Sequence, residues 1–213
     1  IANYTRMNIL EGAQEPVDKY DTVRDIVSKV SDQNAKSIID TSNLNHPDTI
    51  TDVVELMRSA RQIDWYGIGP SNVVALDARF KCMRLGIAST AYEDHVSMLV
   101  NAKAFPEDSL AFLISYTGET EEIIEVAEEL NALNVTTVSL TSFTENRLSE
   151  LCTHNLFVQS SESWNRLGGM SSRISTLNLI DVLFTALINT SHKQFMQIME
   201  RTNVHRRREE KEK

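Results

Sequence analysis

The hydrophobic pattern of the chain changes character near residue 60. Before that point, apolar side chains recur at helical spacing from Thr22 to about Asp40 and again from Ile50 to Met57. The segment Asn43–Pro47 separates the two stretches, because a proline and the residue before it disfavour helix. The sequence therefore predicts two successive helices in this part of the chain.

Beyond residue 60, short apolar runs alternate with stretches of helical periodicity. Five runs have the length and side chains of strands: Gln62–Tyr66, Ile87–Ala91, Leu110–Ile114, Thr136–Leu140 and Asn155–Val158. They are continuous apolar runs rather than alternating ones, which is typical of strands covered by helices on both faces. The pattern predicts an α/β fold built from βαβ units around a parallel sheet.

The last part of the pattern is helical again. Apolar residues are dense enough between Ile174 and Leu187 for a largely buried helix, and a more polar helix is predicted to follow to about His205. Asn178 and Asp181 interrupt the apolar stretch, so we expect it to be too short and too polar to span a bilayer. The sequence predicts no membrane association.

Composition narrows the function classes. The 213 residues suit one domain, and the net charge of −9 argues against direct binding of nucleic acid, which needs clustered Lys and Arg. Cys82 and Cys152 lie far apart and are expected to be buried thiols of a cytoplasmic protein. No grouping of His, Cys, Asp or Glu has metal-ligand spacing. We therefore expect neither a metal nor a cofactor.

Candidate chemistry is concentrated in the turn Ser115–Thr120, between a predicted strand and a predicted helix. Ser115, Thr117 and Thr120 supply hydroxyl groups, Gly118 permits a tight bend, and the N–H groups of a helix starting near Glu119 point to the same place. The turn contains no Lys, which excludes a nucleoside-triphosphate P-loop. It suits one terminal phosphomonoester. The alternative is that the hydroxyls only cap the helix and tie the turn.

An earlier turn, Gly67–Ser71, carries part of a dinucleotide fingerprint. The third glycine is absent, because residues 72 and 73 are Asn72 and Val73. We instead expect Ser71 in the first turn of the next helix, aimed at the same phosphate. Pro70 is acceptable at a helix start, although it removes one N–H donor.

Three further groups are weaker candidates for contacts to a sugar. Glu93 and His95 follow the second strand and can meet sugar hydroxyls, or they belong to an ordinary capped helix start. Glu119 can accept a hydrogen bond from a sugar hydroxyl beside the anion. Arg173 can reach a sugar or a phosphate, or it forms a structural ion pair.

These motifs together resemble the sugar isomerase (SIS) domain. The resemblance rests on G-x-G-x-S at Gly67–Ser71, S-x-[ST]-G-x-T at Ser115–Thr120, and Met170–Ile174 opening a long helix that contains Asn178–Asp181. It covers about Asp52 to Thr190. More narrowly, the Ser-Ser-Arg helix start resembles the effector domain of RpiR-type bacterial transcription regulators.

The resemblance implies a three-layer α-β-α sandwich with a five-stranded parallel sheet, flavodoxin-like, with flanking helices. It implies that Ser71, Ser115, Thr117 and Thr120 hold the phosphate, beside Gly69, Tyr116 and Gly118. The weaker candidates for contacts to the sugar are Glu119, Glu93, His95, Ser172 and Arg173. On this interpretation residues 1–21 are a lead-in, 22–205 form the SIS domain with its N-terminal helices, and 206–213 are a charged tail.

The expected function is a sensor whose effector is a phosphorylated sugar. The chain begins with Ile1 rather than Met, and we expect a helix-turn-helix module upstream that contacts DNA. The resemblance also implies a homodimer or higher homo-oligomer. Two alternatives stay open: a sugar-phosphate aldose–ketose isomerase, for which Glu93, His95 and Glu119 are possible acid–base groups, and a lyase resembling MurNAc-phosphate etherase.

Overall fold

A parallel five-stranded sheet forms the centre of the computed structural model, which describes residues 17–159 and 169–203. Its strands are β1 (Gln62–Gly67), β2 (Ala88–Ala91), β3 (Leu110–Ile114), β4 (Thr136–Ser142) and β5 (His154–Val158). They lie in the order β2-β1-β3-β4-β5, and every neighbouring pair is parallel. In the central pair, Gly67 of β1 lies opposite Ile114 of β3, so these strands end side by side.

The helices of the described residues precede, connect and follow the strands. They are α1 (Val23–Leu44), α2 (Pro47–Ser59), α3 (Pro70–Arg84), α4 (His95–Lys103), α5 (Glu121–Ala132), α6 (Arg147–Leu151), α7 (Met170–Thr190) and α8 (His192–Arg201). A capping box closes the start of α1, where Thr22 and Asp25 exchange hydrogen bonds.

Two apolar cores lie on opposite faces of the sheet. One packs α2, α3, α7 and α8 against the sheet, with Trp65 stacked on Phe112 at 4.1 Å between ring centroids. The other packs α4, α5 and α6 around Ala111 and Leu113, which point the opposite way from Phe112 because side chains alternate along a strand. This arrangement confirms the predicted three-layer α/β fold.

The strand order places a topological switch point between β1 and β3. From β1 the chain moves through α3 to β2 on one side, and it then returns through α4 to β3 on the other side. The connections after β1 and β3 leave on opposite faces, because α3 belongs to one core and α5 to the other. A crevice opens between such connections at the carboxyl ends of the strands.

Several predicted boundaries are wrong by a few residues. The first helix continues to Leu44 rather than ending near Asp40, the helix after β3 begins at Glu121 rather than Glu119, and α8 ends at Arg201 rather than near His205. The short helix α6 was not predicted. Residues 1–16, most of the expected lead-in, and 206–213, the expected tail, lie outside the described residues.

Helix α7 is long and apolar enough to cross a membrane by length and composition alone. The prediction that this apolar stretch is too short to span a bilayer is therefore wrong on length, since the helix has 21 residues. Half of its most apolar window is buried inside the fold. Its buried residues, among them Ile180, Leu183 and Leu187, belong to the core that covers Trp65, which accounts for its apolar character.

Both cysteines are buried free thiols, as the sequence predicted. Burial raises the pKa of the Cys82 thiol to about 11 and that of Cys152 to about 12. Both thiols are therefore protonated near neutral pH, so neither serves as a nucleophile.

Candidate functional site

The turn after β1 brings α3 close to the end of the strand. A Cβ built on Gly67 would lie 2.8 Å from the backbone carbon and oxygen of Ser71, so only glycine permits this approach. Gly69 precedes the helix with φ of +58°, and Pro70 occupies its start. Ser71 therefore lies in the first turn of α3, as predicted.

The hydroxyl groups of the second turn bond to the turn itself. The Ser115 Oγ lies 2.8 Å from the Thr120 Oγ1 and accepts the Gly118 N–H at 3.2 Å. The Thr117 Oγ1 accepts the Glu119 N–H at 3.2 Å. The predicted alternative, hydroxyls that tie the turn, is thus part of the structure.

These bonds do not use every hydroxyl proton. Ser115 and Thr120 share a single mutual bond, so one of their two O–H groups stays free to donate, and the exposed Thr117 only accepts in its bond to Glu119. The tied turn therefore keeps two O–H donors for an anion.

Helix capping separates the two turns from the connections that follow β2 and β4. Asp94 caps α4 and Asn146 caps α6 through their side chains. Helices α3 and α5 begin without a side-chain cap, because Gly69 has no side chain and the Thr120 hydroxyl is turned to Ser115. Two helix N-termini that lack such caps flank the switch point, and this geometry favours an anion.

The start of α7 completes the crevice. Gly169 precedes it in the left-handed region, and a Cβ built there would lie 3.4 Å from the Pro70 Cβ, so α7 begins directly beside α3. The crevice is lined by Pro70, Ser71, Val74, Ile114, Tyr116, Ser172, Arg173 and Thr176. The structure thus brings together the predicted residues Ser71, Tyr116, Ser172 and Arg173.

Three lining residues were missed by the sequence analysis. Val74 and Ile114 belong to the helix and strand that flank the crevice, and nothing in their sequence pattern separates them from core residues. Thr176 lies one turn after Ser172, and its hydroxyl bonds to the Ser172 carbonyl at 2.7 Å. The four-residue spacing from Ser172 was the available signal for Thr176.

Two of the weaker candidates, Glu93 and His95, lie outside the described crevice lining. Glu93 is exposed after the edge strand β2, and the His95 Nε2 lies 3.1 Å from the Glu125 carboxylate of α5. Asp94 accepts the Ser97 N–H at 2.9 Å, so the capped helix start that was the alternative reading is present. A sugar role for Glu93 and His95 stays a prediction.

Glu119 is placed beside α6 rather than over the crevice lining. Its carboxylate accepts the Arg147 N–H at 3.0 Å. The Arg147 guanidinium lies 2.7 Å from Glu121, which raises the Arg147 pKa.

Of the residues that line the crevice, Arg173 alone has a charged side chain, and the described lining includes neither a carboxylate nor an imidazole. The described residues also contain no metal-binding cluster.

Comparison with known proteins identifies the family. The SIS domain family model matches residues 56–186. The chain is 34% identical over 183 residues to an uncharacterized HTH-type transcriptional regulator of Caldanaerobacter subterraneus subsp. tengcongensis, a match that covers 86% of this chain and 65% of that protein. The chain therefore spans slightly less than two thirds of that relative.

Solved structures give the same result. The Vibrio vulnificus NanR protein, complexed with ManNAc-6P, superposes with a TM-score of 0.79 at 26% identity, over 84% of this chain and 68% of that one. The sugar isomerase domain of an RpiR transcription factor from Sphaerobacter thermophilus superposes with a TM-score of 0.75 at 15% identity, over 83% of this chain and 97% of that one, which shows the shared fold. The predicted resemblance is confirmed: this chain belongs to the SIS domain family.

Proposed function

We propose that this chain is the phosphosugar-binding, effector-sensing domain of a cytoplasmic RpiR-type transcription regulator of carbohydrate metabolism. The observation that carries the proposal is the pair of helix N-termini without side-chain caps, α3 and α5, that meet a hydroxyl-rich turn at the switch point. The NanR neighbour, which was solved with a sugar phosphate, supports the ligand class.

The phosphate would be held mainly by neutral donors. Hydroxyls of Ser71, Ser115 or Thr120, and Thr117 supply O–H groups, and the first turn of α5 supplies N–H groups. Gly69 and Gly118 allow the backbone to approach the ligand closely, since both have positive φ.

The sugar would extend over the strand ends toward α7. Tyr116, Ser172 and Arg173 line that side, and Arg173 is the charged member. Glu119, Glu93 and His95 are more distant candidates for hydroxyl contacts. The donors suit a phosphomonoester, and the shape of the crevice would select the sugar.

DNA binding is proposed to reside in an N-terminal helix-turn-helix module, and the description of a relative as an HTH-type transcriptional regulator supports this proposal. In the intact regulator, the domain would pair as a homodimer or higher oligomer, and the effector would bias the geometry of that assembly. Such control requires that the sugar phosphate bind one arrangement more tightly than another.

A thermal-shift experiment tests the proposal. Glucose 6-phosphate, fructose 6-phosphate and ManNAc-6P are added to the chain, and at least one is expected to raise its Tm by mass action. The double substitution Ser115→Ala with Thr117→Ala should abolish the shift. The matched control, Ser28→Ala with Thr51→Ala, deletes the same atoms on α1 and α2 and should keep it. A shift that survives in the first double variant contradicts the site assignment.

A turnover assay distinguishes the proposed sensor from an isomerase. The crevice lining supplies no carboxylate or imidazole among the described residues, so a base for proton abstraction is lacking there. Incubation of the chain with the same sugar phosphates, followed by NMR, is expected to show binding without interconversion. Aldose–ketose exchange would identify an isomerase, and release of lactate from MurNAc 6-phosphate would identify a lyase.

A further inference from the structure

Two carbonyl groups of the turn Ser115–Thr120 face the end of β4 and the start of α6. The Tyr116 carbonyl accepts the Ser142 N–H at 2.8 Å, and the Gly118 carbonyl accepts the Leu148 N–H at 3.1 Å. Carbonyl oxygens repel a phosphate, so engaging them elsewhere favours an orientation in which donors face the crevice.

The first residues of α6 carry most of this attachment. Besides the bond from Leu148 to Gly118, the Arg147 N–H bonds to the Glu119 carboxylate at 3.0 Å, and the Arg147 guanidinium pairs with Glu121. The turn Ser115–Thr120 thereby accepts hydrogen bonds from two N–H groups at the start of α6. The position of α6 consequently sets the position of the turn.

The buried side chain that fixes the start of α6 is Asn146, which is 4% exposed. Its Oδ1 accepts the Ser149 N–H at 2.9 Å, and its Nδ2 donates to the Thr144 carbonyl at 2.7 Å and to the Ser142 carbonyl at 3.5 Å. Asn146 also lies directly against the turn, since a Cβ built on Gly118 would be 1.9 Å from the Asn146 Oδ1. One amide therefore caps α6, holds the preceding loop and contacts the phosphate turn.

We propose that Asn146 is a positioning residue of the phosphate site, an inference that rests on the proposed function. Asn146 does not touch the ligand. It holds α6 where Arg147 and Leu148 keep the acceptors of the turn away from the crevice, so the donors of the turn stay aligned for the phosphate.

The test compares two Asn→Ala substitutions by calorimetry with glucose 6-phosphate, fructose 6-phosphate and ManNAc-6P. Asn45 is the matched control, because its side-chain amide also makes three hydrogen bonds: it donates to the Thr41 and Phe157 carbonyls and accepts the Phe157 N–H. Both variants are expected to lower Tm. Asn146→Ala alone should weaken binding by about tenfold or more, the effect of misaligning one hydrogen bond to a charged group.

A second variant separates positioning from capping. Asn146→Ser keeps an acceptor suitable for a helix N-cap but loses the donor to Thr144 and the contact with Gly118. We expect it to regain most of the lost Tm while its affinity stays low.

Two outcomes overturn the positioning role alone: wild-type affinity in Asn146→Ala, or an equal loss of affinity in Asn45→Ala. Failure of the wild-type chain to bind any of the three sugar phosphates overturns the proposed function, and the positioning role falls with it.

Discussion

Gly118 is the residue at which backbone conformation, packing and proposed binding meet. Its φ of +69° lies in the left-handed region, and the Asn146 side chain fills the place where a Cβ would stand. Gly69, in the other turn, has a similar φ of +58° but open space around its Cβ position. Substitutions at the two glycines therefore allow the cost of backbone strain to be measured apart from the cost of steric overlap.

Gly118→Ala is expected to destabilise the fold more than Gly69→Ala. Each substitution places a side chain in left-handed backbone, which costs about 1–2 kcal/mol, and Gly118→Ala adds a direct overlap with Asn146. The free energies of unfolding of both variants and the wild type are measured in urea. Equal losses of unfolding free energy in the two variants would show that the Asn146 side chain moves aside at no cost, which would contradict the tight contact described above.

For single residues, the sequence predicted which side chains carry hydroxyl donors, but it did not predict which groups those side chains contact. Ser115, Thr117 and Thr120 were identified because hydroxyls and glycine at a strand-to-helix turn have a known use. Their mutual bonds, and the contact between Gly118 and Asn146, depend on where side chains lie in three dimensions. Residue types alone do not contain that information.

At the scale of elements, local patterns carried the prediction. The five strands and the long helices were predicted because each contains enough residues to show a period. Helix α6, with five residues, is too short for one, although Asn146 three positions before Ser149 is a typical N-cap pattern. The start of α5 was placed two residues early, because the turn that precedes it is tied as far as Thr120.

The helix starts after β2 and β3 differ in a testable way. Asp94 caps α4 through the Ser97 N–H, and hydrogen bonding from Ser97 lowers the Asp94 pKa. Asp94→Ala is expected to lower Tm by about 2–4 °C, as loss of a cap does in a domain of this size, and to leave sugar-phosphate affinity unchanged. Because the lowered pKa belongs to the folded state, the contribution of the cap is present above the ordinary pKa of Asp and is lost as pH falls through the folded value.

Thermal melts near neutral and at acidic pH, combined with calorimetry, measure both effects. A large loss of affinity in Asp94→Ala would move the sugar site toward Glu93 and His95, which the crevice does not include.

At the scale of the whole molecule, strand order was the missing information. The sequence predicted parallel strands and helices on both faces, and this layering is confirmed. It did not reveal that β1 and β3 are neighbours at the switch point, since pairing between strands distant in sequence leaves no local pattern. That neighbourhood places Ser71 and Tyr116, which belongs to the turn Ser115–Thr120, around one crevice.

We expect the phosphate of a phosphorylated sugar to bind in this crevice. This expectation is tested most directly by amide NMR during titration with the sugar phosphate that gives the largest thermal shift, beside the same sugar without phosphate. We expect the phosphorylated compound to perturb most strongly the amides of Ser71 and residues 117–122, and the sugar alone to leave them unchanged. Perturbations centred on His95 and α4, or equal effects of the two compounds, would contradict it.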